Sequence, residues 1–166
     1  MKPILPLLSL LLALLAHPLA AQTTAPLAAG TGAGVHSPDS PIAPLVPRAD
    51  VVPWSVLTEV SLRKGAKGPE PVFQAGQDKL DKTTQRLQGF MMPLEPGEKQ
   101  RHFLLTSVPM SCSFCVPGGP ESMVEVRTKT PVTYTLDAVV LEGRFAVLRN
   151  DPYGLYYRIT DAVPVK

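Results

Sequence analysis

Both cysteines of the 166-residue chain lie in one short segment, as the pair Cys112 and Cys115. Two thiols three positions apart can exchange electrons with another disulfide, form a disulfide with each other, or bind a soft metal ion together. Residues 111–120, hereafter the cysteine loop, are therefore the part of the sequence with the clearest indication of chemistry. Three uses of the cysteine pair are possible.

Thiol–disulfide exchange is the first alternative. A Cys-x-x-Cys motif of the thioredoxin type needs a helix that begins at the motif, because the helix dipole and backbone amides lower the pKa of the attacking thiol. Here Pro117, Gly118, Gly119 and Pro120 follow the motif. Since these residues do not start a helix of useful length, the sequence favours the other two alternatives.

A structural disulfide and a metal site are the second and third alternatives. An even cysteine count in an oxidising compartment is typical of a disulfide, which would fix the shape of this proline- and glycine-rich connection. As a metal site, Cys112 and Cys115 would supply two thiolates and Met110 a thioether, a set suited to copper or, with other ligands, zinc. His102 is the obvious further ligand, but it lies at the far end of a predicted strand, roughly 20 Å away. His36 would reach the pair only through a flexible segment.

The elements that must position this loop are strands. Residues 84–92 and 102–108 are apolar-rich and joined by a turn-like segment, which predicts a hairpin. Residues 123–130 alternate, with Val124 and Val126 on the buried face and Glu125 and Arg127 on the other. Residues 138–149, with Gly143 as a bend or bulge, and residues 155–160 complete the set. Methionines 91 and 92 and Tyr157 are expected in the core, and residues 54–62 fit a short helix or strand, whereas residues 64–77 are predicted to be a loop.

Five strands of this kind predict a mainly β domain, a small barrel of the oligonucleotide/oligosaccharide-binding (OB) type. A two-sheet β-sandwich is the alternative. The cysteine loop would connect the second and third strands of either fold.

The chain before this domain has two different compositions. Residues 1–21 fit a cleavable signal peptide, because Lys2 precedes an apolar run that is too short to span a bilayer and small residues close it. Residues 22–50 are rich in Ala, Gly and Pro, which predicts a disordered linker, and residues 51–166 form the single β-rich domain. We therefore expect a periplasmic or secreted protein that keeps no membrane anchor.

Charge and motifs exclude several function classes. The formal net charge is only +2, with 16 basic and 14 acidic residues, so there is no electrostatic case for nucleic-acid binding. The sequence has no Gly-x-Ser-x-Gly, His-Glu-x-x-His or Walker motif, and it gives no catalytic residues.

Ordered motifs across residues 51–161 resemble a bacterial exported family catalogued as domain of unknown function 3299. The resemblance rests on the following segments: Trp54 and Leu57, residues 80–81, 87–95 and 103–105, Cys112, residues 123–126 and residues 140–145. It implies an exported domain that assists transition-metal handling, often beside transport systems. Many members carry Cys-x-His in this loop, whereas Phe114 stands at the histidine position here and Cys115 follows.

The resemblance and the loop together predict a non-enzymatic accessory protein that binds zinc or copper through Cys112, Cys115 and Met110 and hands it to a protein partner. A structural or interaction module with a Cys112–Cys115 disulfide is the alternative, and an oxidoreductase is the third. The sequence gives no indication of the oligomeric state.

Overall fold

A computed structural model describes residues 32–65 and 68–165. The predicted signal peptide and the first part of the predicted linker lie outside these residues. The described part contains two short α-helices, one 3-10 turn and seven strands: α1 (Trp54–Leu57), β1 (Ser61–Lys64), β2 (Pro69–Val72), α2 (Ala75–Leu80), β3 (Thr84–Pro93), β4 (Lys99–Thr106), the 3-10 turn (Pro120–Ser122), β5 (Met123–Thr133), β6 (Val139–Val147) and β7 (Tyr157–Pro164). No described helix is long and apolar enough to cross a membrane.

Strands β3 to β7 form a closed barrel in the order β3-β4-β5-β7-β6. Neighbouring strands are antiparallel except β5 and β7, which run parallel. The predicted five-stranded, OB-like barrel is therefore confirmed, and the β-sandwich is not formed. The cysteine loop connects β4 to β5, the second and third strands of the barrel.

Alternation along the strands fills the barrel interior. The inward side chains are almost fully buried, and the largest are Tyr157, Phe103, Phe145, Leu87, Leu105, Leu141 and Ile159. The predicted core positions of Met91 and Tyr157 are confirmed, with 6% and 0% of their surfaces exposed. Since every strand from β3 to β7 contributes residues to this cluster, the barrel has one continuous hydrophobic core.

Gly143 lies at a break in the pairing of β6 with β7, where the register shifts between Glu142 and Arg144. A Cβ at this position would lie 2.7 Å from the carbonyl oxygen of Thr160, so only glycine lets the two backbones come this close. The predicted bend or bulge at Gly143 is confirmed.

The prediction of a loop over residues 64–77 is wrong. Strands β1 and β2 form a separate antiparallel hairpin, and α2 follows it. Prolines are tolerated in β2 because this strand pairs on one side only. Helix α2 begins with a capping box between Gln74 and Gln77, and the Gln77 side-chain amide also donates to the carbonyl of Val56 in α1 at 2.7 Å.

Candidate functional site

Cys112 and Cys115 form a disulfide, with their Cα atoms 5.4 Å apart. The loop turns tightly around this bond, because the amide of Cys112 donates to the carbonyl of Pro109 and the amide of Cys115 donates to the carbonyl of Cys112. Cys112 is 8% exposed. Of the three alternatives for the cysteine pair, the structure therefore has the disulfide.

The bonded pair does not fit a metal ion, since neither sulfur is a thiolate in this state. Among the described residues, no group of three or more His, Cys, Asp and Glu side chains is placed to hold a metal ion. Met110, the predicted thioether ligand, is 39% exposed beside the loop. His102 lies on β4 and its Nε2 atom is 2.8 Å from a carboxylate oxygen of Glu125, so its bonding partner is an acidic side chain.

No α-helix begins at the Cys-x-x-Cys motif. The next helical turn is the three-residue 3-10 segment Pro120–Ser122, five positions beyond Cys115. The helix dipole that activates a thioredoxin-type thiol is therefore missing from the loop, as the run of prolines and glycines predicted.

Residues 32–35, hereafter the strap, pair with the cysteine loop. Val35 and Val116 form an isolated antiparallel bridge, the amide of Gly32 donates to the carboxylate of Glu121 at 2.6 Å, and the hydroxyl of Ser107 donates to the carbonyl of Ala33. Composition predicted a disordered linker over residues 22–50, and this part of it is instead fixed by backbone hydrogen bonds. Further along, Asp50 pairs with Arg86 of β3 at 3.3 Å.

Four apolar side chains around the disulfide are exposed. They belong to the strap, to the cysteine loop and to the residue next to it, and their exposed fractions are 62% for Val35, 39% for Met110, 64% for Phe114 and 54% for Val116. Clustered exposed apolar groups on a folded domain mark interaction sites more often than scattered ones do.

A polar cluster lies on the outer face of the barrel, around Glu125. This carboxylate is 3% exposed and contacts three cationic or potentially cationic side chains: the guanidinium of Arg158, the guanidinium of Arg127 at 3.0 Å and the ring of His102 at 2.8 Å. Strand alternation predicted a solvent-facing Glu125. It is buried because β7 lies beside β5, which brings Arg158 directly opposite it.

The surroundings of Glu125 lower the pKa of its carboxyl group. Burial opposes ionisation, but the hydrogen bonds from Arg158, His102 and Arg127 outweigh it and lower the pKa of the Glu125 carboxyl below its ordinary value of 4.5. Glu125 is therefore ionised at neutral pH and links three strands of the barrel.

Comparisons with known proteins give a family and one solved structure. The model of a family described as a protein of unknown function, DUF3299, matches residues 63–154. The crystal structure of a DUF3299 family protein from Pseudomonas aeruginosa at 2.45 Å resolution is similar, with 22% sequence identity and a TM-score of 0.46, over 80% of this chain and 91% of that chain. No curated protein matches the chain.

Proposed function

The chain belongs to the DUF3299 family, as the sequence resemblance predicted, and we propose that it is an exported, non-catalytic module that binds a protein partner through its cysteine loop. The observation that supports this proposal is the group of exposed apolar side chains around the disulfide, led by Phe114 at 64% exposure. Such a surface favours association because contact with a partner removes apolar area from water.

The disulfide supports the same proposal. A loop of prolines and glycines would lose much conformational entropy on binding if it were free. The Cys112–Cys115 bond and the strap hold it in one shape before any partner arrives, which lowers that cost.

Site-specific photo-crosslinking in the native host tests this proposal. A photoreactive amino acid in place of Phe114 is expected to give one discrete crosslinked product that a Val116→Ser substitution weakens. The matched control is the same amino acid in place of Leu136, which is 52% exposed and follows β5, at the opposite end of that strand from the cysteine loop. Identical products at both positions, or none at position 114, would contradict a partner surface at the cysteine loop.

Metal transfer is a second candidate function, in which zinc or copper is cargo of the reduced protein. The short Cα–Cα distance between Cys112 and Cys115 favours it, because two thiolates so placed would reach the same ion after reduction. Titration of the reduced chain with Zn(II) and with Cu(I) tests it. The double variant Cys112→Ser, Cys115→Ser is expected to lose binding, and Met110→Leu to weaken Cu(I) binding alone. Equal binding by the double variant would reject metal transfer while leaving the partner surface untouched.

A further inference from the structure

The disulfide lies among the exposed apolar side chains of the cysteine loop and the strap. Phe114 stands between the two cysteines in sequence and is 64% exposed, and Val116 directly follows Cys115 and is 54% exposed. A partner that covers these side chains therefore also covers the disulfide. Chemistry at this bond rests on the proposed partner surface, and it identifies the kind of partner.

The two sulfur atoms of the disulfide differ in their accessibility. Cys112 is 8% exposed, whereas Cys115 is only half-buried and lies between the exposed Phe114 and Val116. A thiolate breaks a disulfide by attack on one of its sulfur atoms, and access decides which atom is attacked. An incoming thiolate therefore meets the sulfur of Cys115, and Cys112 is the leaving group.

The bond can open without disturbing the barrel. The core cluster of the described residues does not include Cys112. The cysteines are three positions apart, and a disulfide that closes so short a loop adds little stability through chain entropy. The amide of Cys112 donates to the carbonyl of Pro109, and the amide of Cys115 donates to the carbonyl of Cys112. Because these hydrogen bonds do not involve the sulfur atoms, the turn keeps the two thiols close enough to form the bond again.

We propose that the Cys112–Cys115 disulfide is the substrate of a partner protein that carries a dithiol and docks on the apolar side chains around Phe114. A small thiol needs only the sulfur atom, whereas a docked protein also gains free energy by removing apolar surface from water. The oxidised chain is the resting state, and reduction occurs on contact with the partner. The same reduction would supply the two thiolates that metal transfer requires.

The reaction proceeds in two exchange steps. A thiolate of the partner attacks the Sγ atom of Cys115, the bond between the two cysteines breaks, and Cys112 leaves as a thiolate that takes a proton from water. The partner's second thiol, after losing its proton, attacks the partner's own sulfur in the mixed disulfide and releases Cys115, which is protonated in turn. Two electrons pass to this chain, which becomes the dithiol, while the partner's dithiol is oxidised to a disulfide.

Trapping of the mixed disulfide tests the proposal. The oxidised exported chain is mixed with thioredoxin or with protein disulfide isomerase in which the second cysteine of each active site is serine, so that the adduct is not resolved. Acid quenching early in the reaction and peptide mass mapping are expected to place the adduct on Cys115. Phe114→Ser is expected to slow adduct formation about tenfold with at least one of these proteins, as the loss of an aromatic anchor does, and to leave the rate with glutathione unchanged.

Leu136→Ser is the matched control, because Leu136 is 52% exposed but follows β5, away from the cysteine loop, and should change none of the three rates. Four results would overturn the proposal: a first adduct on Cys112, no adduct with either protein, equal rates for the wild-type chain and Phe114→Ser, and equal slowing of the proteins and glutathione by Phe114→Ser. A discrete photo-crosslink from position 114 to a protein without a thiol pair would also overturn it, while the proposed partner surface would stand.

Discussion

Val35 and Val116 exchange both of their backbone hydrogen bonds, with the amide of Val35 donating at 2.8 Å and the amide of Val116 donating at 2.9 Å. This pair joins the strap to the cysteine loop across a large sequence separation. The strap is therefore part of the surface that the loop presents, and the state of one affects the other.

Gly34→Ala is expected to detach the strap. Gly34 has a φ of +76°, and an added Cβ would lie 2.6 Å from the carbonyl oxygen of Val116, so the substitution combines backbone strain with a clash. We expect faster hydrogen exchange at the amides of Val35 and Val116 and a stability loss of about 1 to 2 kcal/mol.

Gly32→Ala is the matched control for this substitution. Gly32 has a nearly equal φ of +78°, but a Cβ there would meet no atom within 4 Å. The Gly32→Ala variant should therefore show the backbone strain of a positive φ without a steric clash. Exchange rates at Val35 and Val116 that rise equally in both variants would contradict the close approach of strap and loop.

Reduction of the disulfide is expected to loosen the cysteine loop while the barrel stays folded. The bond closes a very short loop, so its removal should cost about 2 kcal/mol by the chain-entropy relation. Native protein should contain no free thiol in a thiol-alkylation mass measurement. The double variant Cys112→Ser, Cys115→Ser should melt at the same temperature as reduced wild type. Alkylation of both cysteines without prior reduction would contradict the bond.

The barrel could be predicted because most of its strands show an alternation of apolar and polar residues that can be recognised in the sequence itself. Alternation predicted that Val124, Val126 and Tyr157 face the core, which they do. A glycine inside a strand often marks a bulge or bend, and Gly143 lies at one. The β1–β2 hairpin was missed because its prolines read as loop residues, which a strand with one free edge accepts.

The site could be predicted only in part. Sequence spacing located the cysteine loop, but the strap was missed since its low-complexity composition gives no sign that its backbone pairs with Val116. The burial of Glu125 depends on the parallel pairing of β5 with β7, and no local pattern shows which strands become neighbours. Local periodicity therefore identifies elements better than the contacts between them.

Glu125→Gln is expected to change the response of stability to acid. The folded-state pKa of Glu125 is lowered by its hydrogen bonds from Arg158, His102 and Arg127, although burial opposes the shift. Its contribution is therefore complete above its ordinary value of 4.5 and is lost as the pH falls below 4.5 toward the folded-state pKa. The variant should be less stable by about 2 kcal/mol at neutral pH, and this difference should shrink on acidification in urea unfolding experiments. The matched control is Glu98→Gln, which alters an exposed side chain. A difference that stays constant down to about pH 3 would contradict the ionised state of Glu125.

Tyr157→Phe is expected to weaken the contact between the barrel and α1. The Tyr157 hydroxyl is buried and donates to the carbonyl oxygen of Leu57 at 2.6 Å, and burial together with the charge of Glu121 raises its pKa well above the usual range. Removing it leaves a buried carbonyl without this donor while the ring still stacks on Phe145, so we expect a loss of about 1 to 2 kcal/mol in urea unfolding. Tyr134→Phe, at a tyrosine that is 36% exposed, should change stability by less than about 0.5 kcal/mol. Equal stability of the two variants would show that the hydroxyl of Tyr157 does not hold α1 against the barrel, and the core would then rest on packing alone.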